Sequence, residues 1–284
     1  MTSGGYRLVQ LANGAHSIHS LAYRETMHPA IGPAAEAEAL YVAQLRLGER
    51  MRRHAGEFVI WDVGLGAAAN ALAVLVAARD LPCPIRLISF DDTIEPLAFA
   101  LRNVEHLDYL SGFLPCARHL VPHGRVSFDN GTQPVEWRLW LEDFPELISG
   151  PRAAGLAKPH AILFDPYSPA RNPAMWTLPL LSNLFGRLDP ARPCALATYS
   201  RSTMTRVSLL LAGFYVGVGG ATGLKDETTV AANQRDLIER PLGRRWLERA
   251  RRSHCAEPLE GAEYRQQQLS SETWEKLQAH PQFR

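Results

Sequence analysis

Five short apolar runs, four of them followed by a stretch of helical character, limit this chain's fold more than any other feature. Phe58–Val63, Ile85–Phe90, Val135–Leu141, Ala161–Phe164 and Cys194–Tyr199 read as strands. Between and after them, Ala68–Arg79, Pro96–Leu107, and the stretches near Leu178–Leu188 and Thr203–Leu211 read as helices. Strands alternating with helices imply a parallel sheet covered on both faces. Tyr215–Val218 and Thr228–Ala232 read as a closing antiparallel pair, so the expected fold is α/β with a Rossmann-like sheet, mostly parallel, ending in an antiparallel C-terminal strand. Upstream, residues 6–11 and 16–23 read as short strands around the Asn13-Gly14 turn, and 34–54 as a helix. The expected organisation is an N-terminal strand and helix segment (1–55), a core (56–236) and a charged, mostly helical tail (237–284).

Composition removes several classes of function. With 284 residues, 46% of them hydrophobic, the chain can bury a full core. A net charge of +1 gives no global attraction to nucleic acid or membrane, so a polyanion site has to be a local patch. The longest apolar stretches, such as Ala67–Ala78, fall well short of a membrane span. The opening MTSGGYRLVQLANG lacks the basic-then-apolar build of a signal peptide. Cys83, Cys116, Cys194 and Cys255 are widely spaced, which fits reduced thiols in a cytoplasmic protein and points to neither a metal site nor a disulfide framework.

The chemistry gathers where the runs end. The first ends WDVGLGAAANALAVL, placing Gly64 and Gly66 at a strand-to-helix turn where a ligand can approach the backbone. Gly64, Gly66 and Ala69 satisfy the dinucleotide pattern G-x-G-x-x-A, with Asp91 or Asp92 at a plausible ribose distance. Asp62 favours a different cofactor. It stands two residues before the first glycine, where a dinucleotide fold uses an apolar residue and where an acid suits the cationic methionine end of S-adenosylmethionine. Asp91 ends the second run and suits ribose hydroxyls, and Asp143, beside Glu142, ends the third and suits the adenine amino group. Asp165 ends a fourth, in ILFDPYSPARNPAMW, where Pro166, Pro169 and Pro173 stop the strand and stiffen the loop. Any one of these acids is equally explained as a helix cap. All four in this order make the layout of a class I methyltransferase.

These blocks resemble the tRNA wobble-uridine methyltransferases that convert 5-aminomethyl-(2-thio)uridine to its methylaminomethyl form. The similarity runs from about Tyr23 to Ala232, carried by DVGLGAAANAL, ISFDD, LWLEDFPELI and, most distinctively, FDPYSPARNPAMWT. LATYSRSTMTRVSLLLAGF is a weaker match. The resemblance implies S-adenosylmethionine as cofactor, held by Asp62, Gly64, Leu65, Gly66, Asn70, Asp91, Glu142 and Asp143. It implies tRNA, read at the anticodon loop, as partner. There are two departures: Ala68 replaces the third loop glycine, and a segment that is often basic is here GATGLKDETTVAAN, with Asp226 and Glu227. The altered segment leaves open a methyltransferase acting on a small-molecule or protein amine, or a catalytically silent RNA-binding relative. The chain has room for the methyltransferase and its tail, and none for a flavin domain. Oligomeric state is not legible in the sequence.

The implied reaction methylates a primary amine. An alkylammonium has no lone pair, so the site must accept a proton and align nitrogen, methyl carbon and sulfur. Asp165 is the expected catalytic group, with Tyr167, Ser168 and Tyr199 contacting the substrate. Glu25 and His28 suggest a lid over the cofactor. The best local cationic patch is RPLGRRWLERARR, with Arg245, Arg249 and Arg252 near one helix face; Arg171, Arg201 and Arg206 are the second choice.

Overall fold

The computed structural model describes residues 2–3, 5–222 and 225–284. Gly223 and Leu224, within the altered segment noted above, lie outside the described residues.

A small antiparallel sheet opens the chain: β1 (Thr2–Ser3), β2 (Tyr6–Gln10), β3 (His16–Ser20) and β4 (Glu25–Thr26), in that spatial order. The expected helix over 34–54 is three pieces: α1 (Pro33–Ala37), a π-helical segment (Glu38–Ala43) and α2 (Leu47–Arg53). Arg46, left-handed at φ 52°, breaks the run ahead of α2.

The α/β core then follows as β5 (Phe58–Val63), α3 (Ala69–Ala78), β6 (Ile85–Asp91), α4 (Glu95–Arg102), α5 (Leu114–His123), β7 (Arg125–Asn130), β8 (Gln133–Leu141), α6 (Phe144–Ser149), β9 (Ala161–Phe164), α7 (Leu178–Gly186), β10 (Ala195–Thr198), α8 (Thr203–Leu211), β11 (Tyr215–Gly219) and β12 (Thr228–Ala232). The eight strands form one sheet in the order β11-β12-β10-β9-β5-β6-β8-β7. Contacts from β10 through β8 are parallel; β12 runs antiparallel to β10 and β11, and β7 antiparallel to β8. The closing antiparallel strand matches the sequence expectation. The β7–β8 hairpin and α5 do not appear in it, because β7 is a short edge strand with mostly partial exposure and a weak apolar signal. The helix expected over 96–107 stops at Arg102 and continues as 3₁₀ turns, 104–106 and 108–113.

Alternation along the central strands builds a core on each face. Ile60, Leu87 and Leu163 pack with Tyr41, Leu72 and Trp137 on one side, whereas Trp61, Ile88 and Phe164 pack with Trp176, Leu209 and Phe214 on the other. All six residues of β5 are buried, as expected for a central parallel strand.

The tail contains two helices, α9 (Arg244–Arg251) and α10 (Ser271–Ala279), joined by irregular chain, so it is less helical than its composition suggested. It belongs to the core nonetheless. Trp246, Leu247, Leu277 and Phe283 join the second cluster. Gln282 finishes the edge strand: its Oε1 accepts from Val216 N at 2.7 Å and its Nε2 donates to Val216 O at 2.8 Å. No described helix is long and apolar enough to cross a membrane.

Candidate active site at the strand tips

The sheet order reverses between β9 and β5, which opens a crevice at the carboxyl ends of these strands. Hydrogen bonds align the tips: Gly64 N donates to Phe90 O (2.9 Å), Glu142 N to Asp91 O (3.0 Å) and Asp165 N to Val63 O (2.9 Å). Asp62, Asp91, Glu142 and Asp165 therefore sit at four adjacent strand ends, as the sequence order implied.

Asp62 is fully buried. A chain of hydrogen bonds crosses three strands to reach it, Trp137 Nε1 donating to Ser89 Oγ (2.9 Å) and Ser89 Oγ to Asp62 Oδ2 (2.8 Å). Asp62 Oδ1 is buried without a partner among the described residues. Burial, with Asp165 and Asp91 nearby, pushes its carboxyl up to about 8, against the lowering effect of Ser89.

The turn itself is held by Asp91. Its Oδ2 accepts from Gly66 N at 2.8 Å and its Oδ1 from Thr93 N at 3.2 Å. Burial raises its carboxyl to about 7 although these amides favour the charged form. Gly64, Gly66 and Ala68 all have positive φ (91°, 51° and 65°), so alanine fills a left-handed position where the resemblance expects glycine. Leu65 is buried within the turn.

Asp165 is the hub of a polar cluster. Its Oδ2 accepts from Asn70 Nδ2 at 2.7 Å and lies 3.5 Å from His28 Nε2. His28 Nε2 is also 3.1 Å from Asn70 Oδ1, so with Asn70 donating to Asp165 the imidazole is the donor to Asn70. Burial alone would lower the His28 pKa, but its hydrogen bond to Asp165 and the charge of that carboxylate outweigh burial and hold it above the ordinary value. Asn70 thus faces Asp165 and His28. Glu25 closes on the same loop, accepting from Ser168 N at 3.0 Å and from the Ser168 hydroxyl. Tyr23 stacks on Tyr167, with ring centroids 4.0 Å apart, and the Tyr167 hydroxyl is buried with no partner among the described residues. Met27 lies 3.5 Å from where a Gly66 Cβ would be. The expected lid is therefore the segment around β4, and it touches both the glycine turn and the Asp165 loop.

Tyr199 donates its hydroxyl to Pro166 O at 3.3 Å. Lys225 sits over its ring, Nζ at 4.0 Å from the centroid, and donates to Tyr199 O at 3.1 Å. Burial lowers the Lys225 pKa, while Asp165 opposes the shift. Lys225, Tyr23 and Met27 escaped the sequence reading because no strand-end pattern marks them. Glu142 and Asp143 stand further out: Glu142 pairs with Arg152, and Asp143 caps α6 by accepting from Glu146 N at 2.8 Å. Arg206, a second-choice RNA contact in the sequence reading, is 1% exposed. It reaches inward to Thr229 Oγ1, Thr228 O and Glu227, so it braces β12 and offers no surface.

A cavity of about 540 Å³ lies elsewhere, between α2 and the β11 edge, and none of the sequence-predicted site residues lines it. No cluster of metal-ligating side chains occurs among the described residues.

Sheet order, glycine turn and strand-end acids together define the fold of a class I methyltransferase. Residues 117–234 match an S-adenosyl-L-methionine-dependent methyltransferase family. The chain is similar to the tRNA 5-methylaminomethyl-2-thiouridine biosynthesis bifunctional protein MnmC of Methylibium petroleiphilum, at 30% identity over 215 residues, covering 74% of this chain and 32% of that protein. The MnmC of Aeromonas hydrophila is 31% identical over 199 residues, covering 63% and 28%. The chain thus spans about a third of the curated relatives it matches. The crystal structure of MnmC2 from Aquifex aeolicus aligns with a TM-score of 0.70 at 23% identity, covering 97% of this chain and 83% of that one, and shares the fold. The chain is MnmC-like and carries the fold of an S-adenosylmethionine-dependent methyltransferase.

The cofactor of that family is S-adenosylmethionine, and the site suits it. Asp62 Oδ1 is a buried acceptor awaiting a donor, and a positively charged ligand suits a crevice ringed by Asp62, Asp91 and Asp165. Asp91 keeps lone pairs beyond those given to the turn amides.

The raised Asp62 pKa has a testable consequence. The native carboxyl holds its proton more tightly than the unfolded one, so its stabilising contribution is complete at low pH and is lost as pH rises toward about 8. Urea unfolding of the ligand-free protein between pH 5 and 8 should show the parent losing stability relative to Asp62→Asn, by at most roughly 1.4 kcal/mol per pH unit. Parallel stability curves would show that Asp62 titrates normally.

Proposed function

We propose that this protein transfers a methyl group from S-adenosylmethionine to the exocyclic aminomethyl nitrogen of a modified wobble uridine in tRNA. The observation that carries the reading is Asp165. It lies beside the glycine turn, with Oδ2 pinned by Asn70 and His28 close by. The names of the MnmC relatives supply the substrate class.

When bound, S-adenosylmethionine supplies the electrophilic methyl group. Gly64, Leu65 and Gly66 would leave room for it at the turn, Asp62 would hold its cationic methionine end, Asp91 its ribose hydroxyls, and Glu142 and Asp143 its adenine. Asp165 accepts the proton of the incoming ammonium and stabilises the one that forms after transfer, while Asn70 and His28 hold its carboxylate in place. Tyr167, Ser168 and Tyr199 form the base-side wall. All three are engaged by Glu25, Tyr23 or Lys225, so base entry requires the β4 segment to lift. A wobble base reaches such a site by leaving its stack, which is cheap in a single-stranded anticodon loop. A tRNA substrate fits a cytoplasmic protein.

The RNA surface is α9 and its flank. Trp246, Leu247 and Ala250 are buried, leaving Arg245 and Arg249 exposed on the outer face. The charges of Arg249 and Arg201 both act on the buried Arg206, behind the larger effect of its burial.

Asp165→Asn removes the charge and keeps the shape. Turnover on tRNA carrying the aminomethyl base should fall roughly 10²–10⁴-fold, with S-adenosylmethionine affinity by calorimetry little changed. Near-parental turnover would remove Asp165 from the chemistry. Separately, replacing Arg245 and Arg249 by Ala should weaken tRNA binding across sequences and flatten its dependence on salt, because fewer counterions are released. Filter-binding titrations over a salt series that overlay the parent curves would move the RNA surface off α9.

A further inference from the structure

Two residues of the covering segment engage two consecutive residues of the loop after Asp165. Tyr23 lies on Tyr167 with ring centroids 4.0 Å apart and ring planes 16° from parallel, a stacked pair. Glu25 takes both donors of the next residue, the Ser168 amide at 3.0 Å and the Ser168 hydroxyl. A flat ring and a hydrogen-bond acceptor thus cover the base-side wall, one beside the other along the loop.

The covering segment is built to give way. β4 pairs with β3 through two residue pairs, His19 with Thr26 and Ser20 with Glu25. Arg24, between the two covering residues, is left-handed at φ 54°, and so is His28, just beyond β4, at φ 49°. Residues other than glycine rarely take this conformation, and it persists only where the surroundings impose it. Tyr23, Glu25, Tyr167 and Ser168 are all partly exposed. The contact also sets the Glu25 carboxylate on a loop that already carries the carboxylate of Asp165, so a neutral acceptor suits Ser168 better.

A substrate uracil offers the same two features. Bases bound out of their stack lie on aromatic rings. In 5-aminomethyluracil a carbonyl oxygen stands on the ring carbon next to the one bearing the aminomethyl group. With the amine at Asp165, that carbonyl belongs on the same loop, at Ser168. We propose that Tyr23 and Glu25 are an internal stand-in for the substrate base: the uracil ring displaces Tyr23 from Tyr167, and the carbonyl oxygen beside its aminomethyl carbon displaces Glu25 from the amide and hydroxyl of Ser168. The proposal rests on the reading of Asp165 given above. It makes Ser168 the residue that selects uracil, because cytosine presents an amino group at that position to an amide that can only donate. It makes Glu25 a competitor of the substrate, while His28 stays with Asp165 and Asn70.

The test is a double-mutant cycle on the Kd for tRNA carrying the aminomethyl base, measured with the demethylated cofactor product present so that no turnover occurs. Apparent affinity is reduced by the fraction of protein whose site is closed, so Glu25→Ala should tighten binding about threefold or more. Ser168→Ala alone should change affinity little, because the covering segment and the base lose the same hydrogen bond. In the Glu25→Ala background, where that competitor is gone, Ser168→Ala should weaken binding about 2- to 10-fold, the loss expected for one neutral hydrogen bond. Unchanged or looser binding by Glu25→Ala overturns the proposal, since Glu25 then does not compete with the base. Ser168→Ala without effect in the Glu25→Ala background also overturns it, by leaving the hydroxyl to the covering segment alone. If Glu25→Ala does not fold, Glu25→Gln carries the same prediction at smaller amplitude, because its amide nitrogen cannot accept. If the parent protein does not methylate this tRNA, the underlying reading fails whichever way the variants move. If it does and the affinities break the pattern, only the stand-in fails.

Discussion

The absence of one methyl group at Gly64 governs the spacing of the site. A Cβ there would lie 2.8 Å from the carbonyl oxygen of Asp165 and 3.0 Å from its carbonyl carbon. The backbone at Gly64 also has φ 91°, which side chains rarely adopt. The tips of β5 and β9 come together only because this residue is glycine. That contact brings the turn suited to a cofactor and the carboxylate suited to an amine into one crevice. The proline loop after Asp165 then fixes the direction in which the chain leaves.

Close approach of the strand tips has an electrostatic consequence. Asp62, Asp91 and Asp165 gather at the strand tips, and two of them are held well above the ordinary carboxylate range, chiefly by burial, with Asp165 and Asp91 adding to the rise at Asp62 and Asp92 to that at Asp91. His28 and Lys225 supply the nearby compensating cations. Both come from segments outside the parallel core, His28 from the chain after β4 and Lys225 from the chain before β12. A crevice with this charge pattern favours cationic ligands, and both a sulfonium cofactor and an alkylammonium substrate are cationic. The covering segments contact the same side chains that the substrate needs, so binding and lid movement are coupled through Glu25, His28 and Lys225.

Much of this was legible in the sequence because parallel strands announce themselves as apolar runs and their acids fall where the runs end. The α8 boundaries, Thr203–Leu211, agree with the reading because Ser202 caps the start and Gly213 follows the end. The β7–β8 hairpin was signalled only by Asn130-Gly131, with a strand too polar to stand out. The helix over 34–54 looked continuous because nothing in its composition marks a π segment or the left-handed Arg46. At the site, residues carried by strand tips were found, and of those brought by folding-over segments only Glu25 and His28 were. Met27 and Lys225 reach the crevice through tertiary packing, which no local spacing encodes. Arg206 shows the reverse error: an arginine on a helix beside the mouth looked like surface, and hydrogen bonds to Thr228 and Thr229 bury it.

The central claim is that the crevice methylates an aminomethyl wobble base. The most direct test is nucleoside analysis, by mass spectrometry, of total tRNA from cells lacking this gene and from the same cells with it restored. The account predicts accumulation of the 5-aminomethyl-uridine form and loss of the methylaminomethyl form in the deletion, reversed by restoring the gene. An unchanged nucleoside profile in a deletion strain with no second methyltransferase of this kind would contradict it.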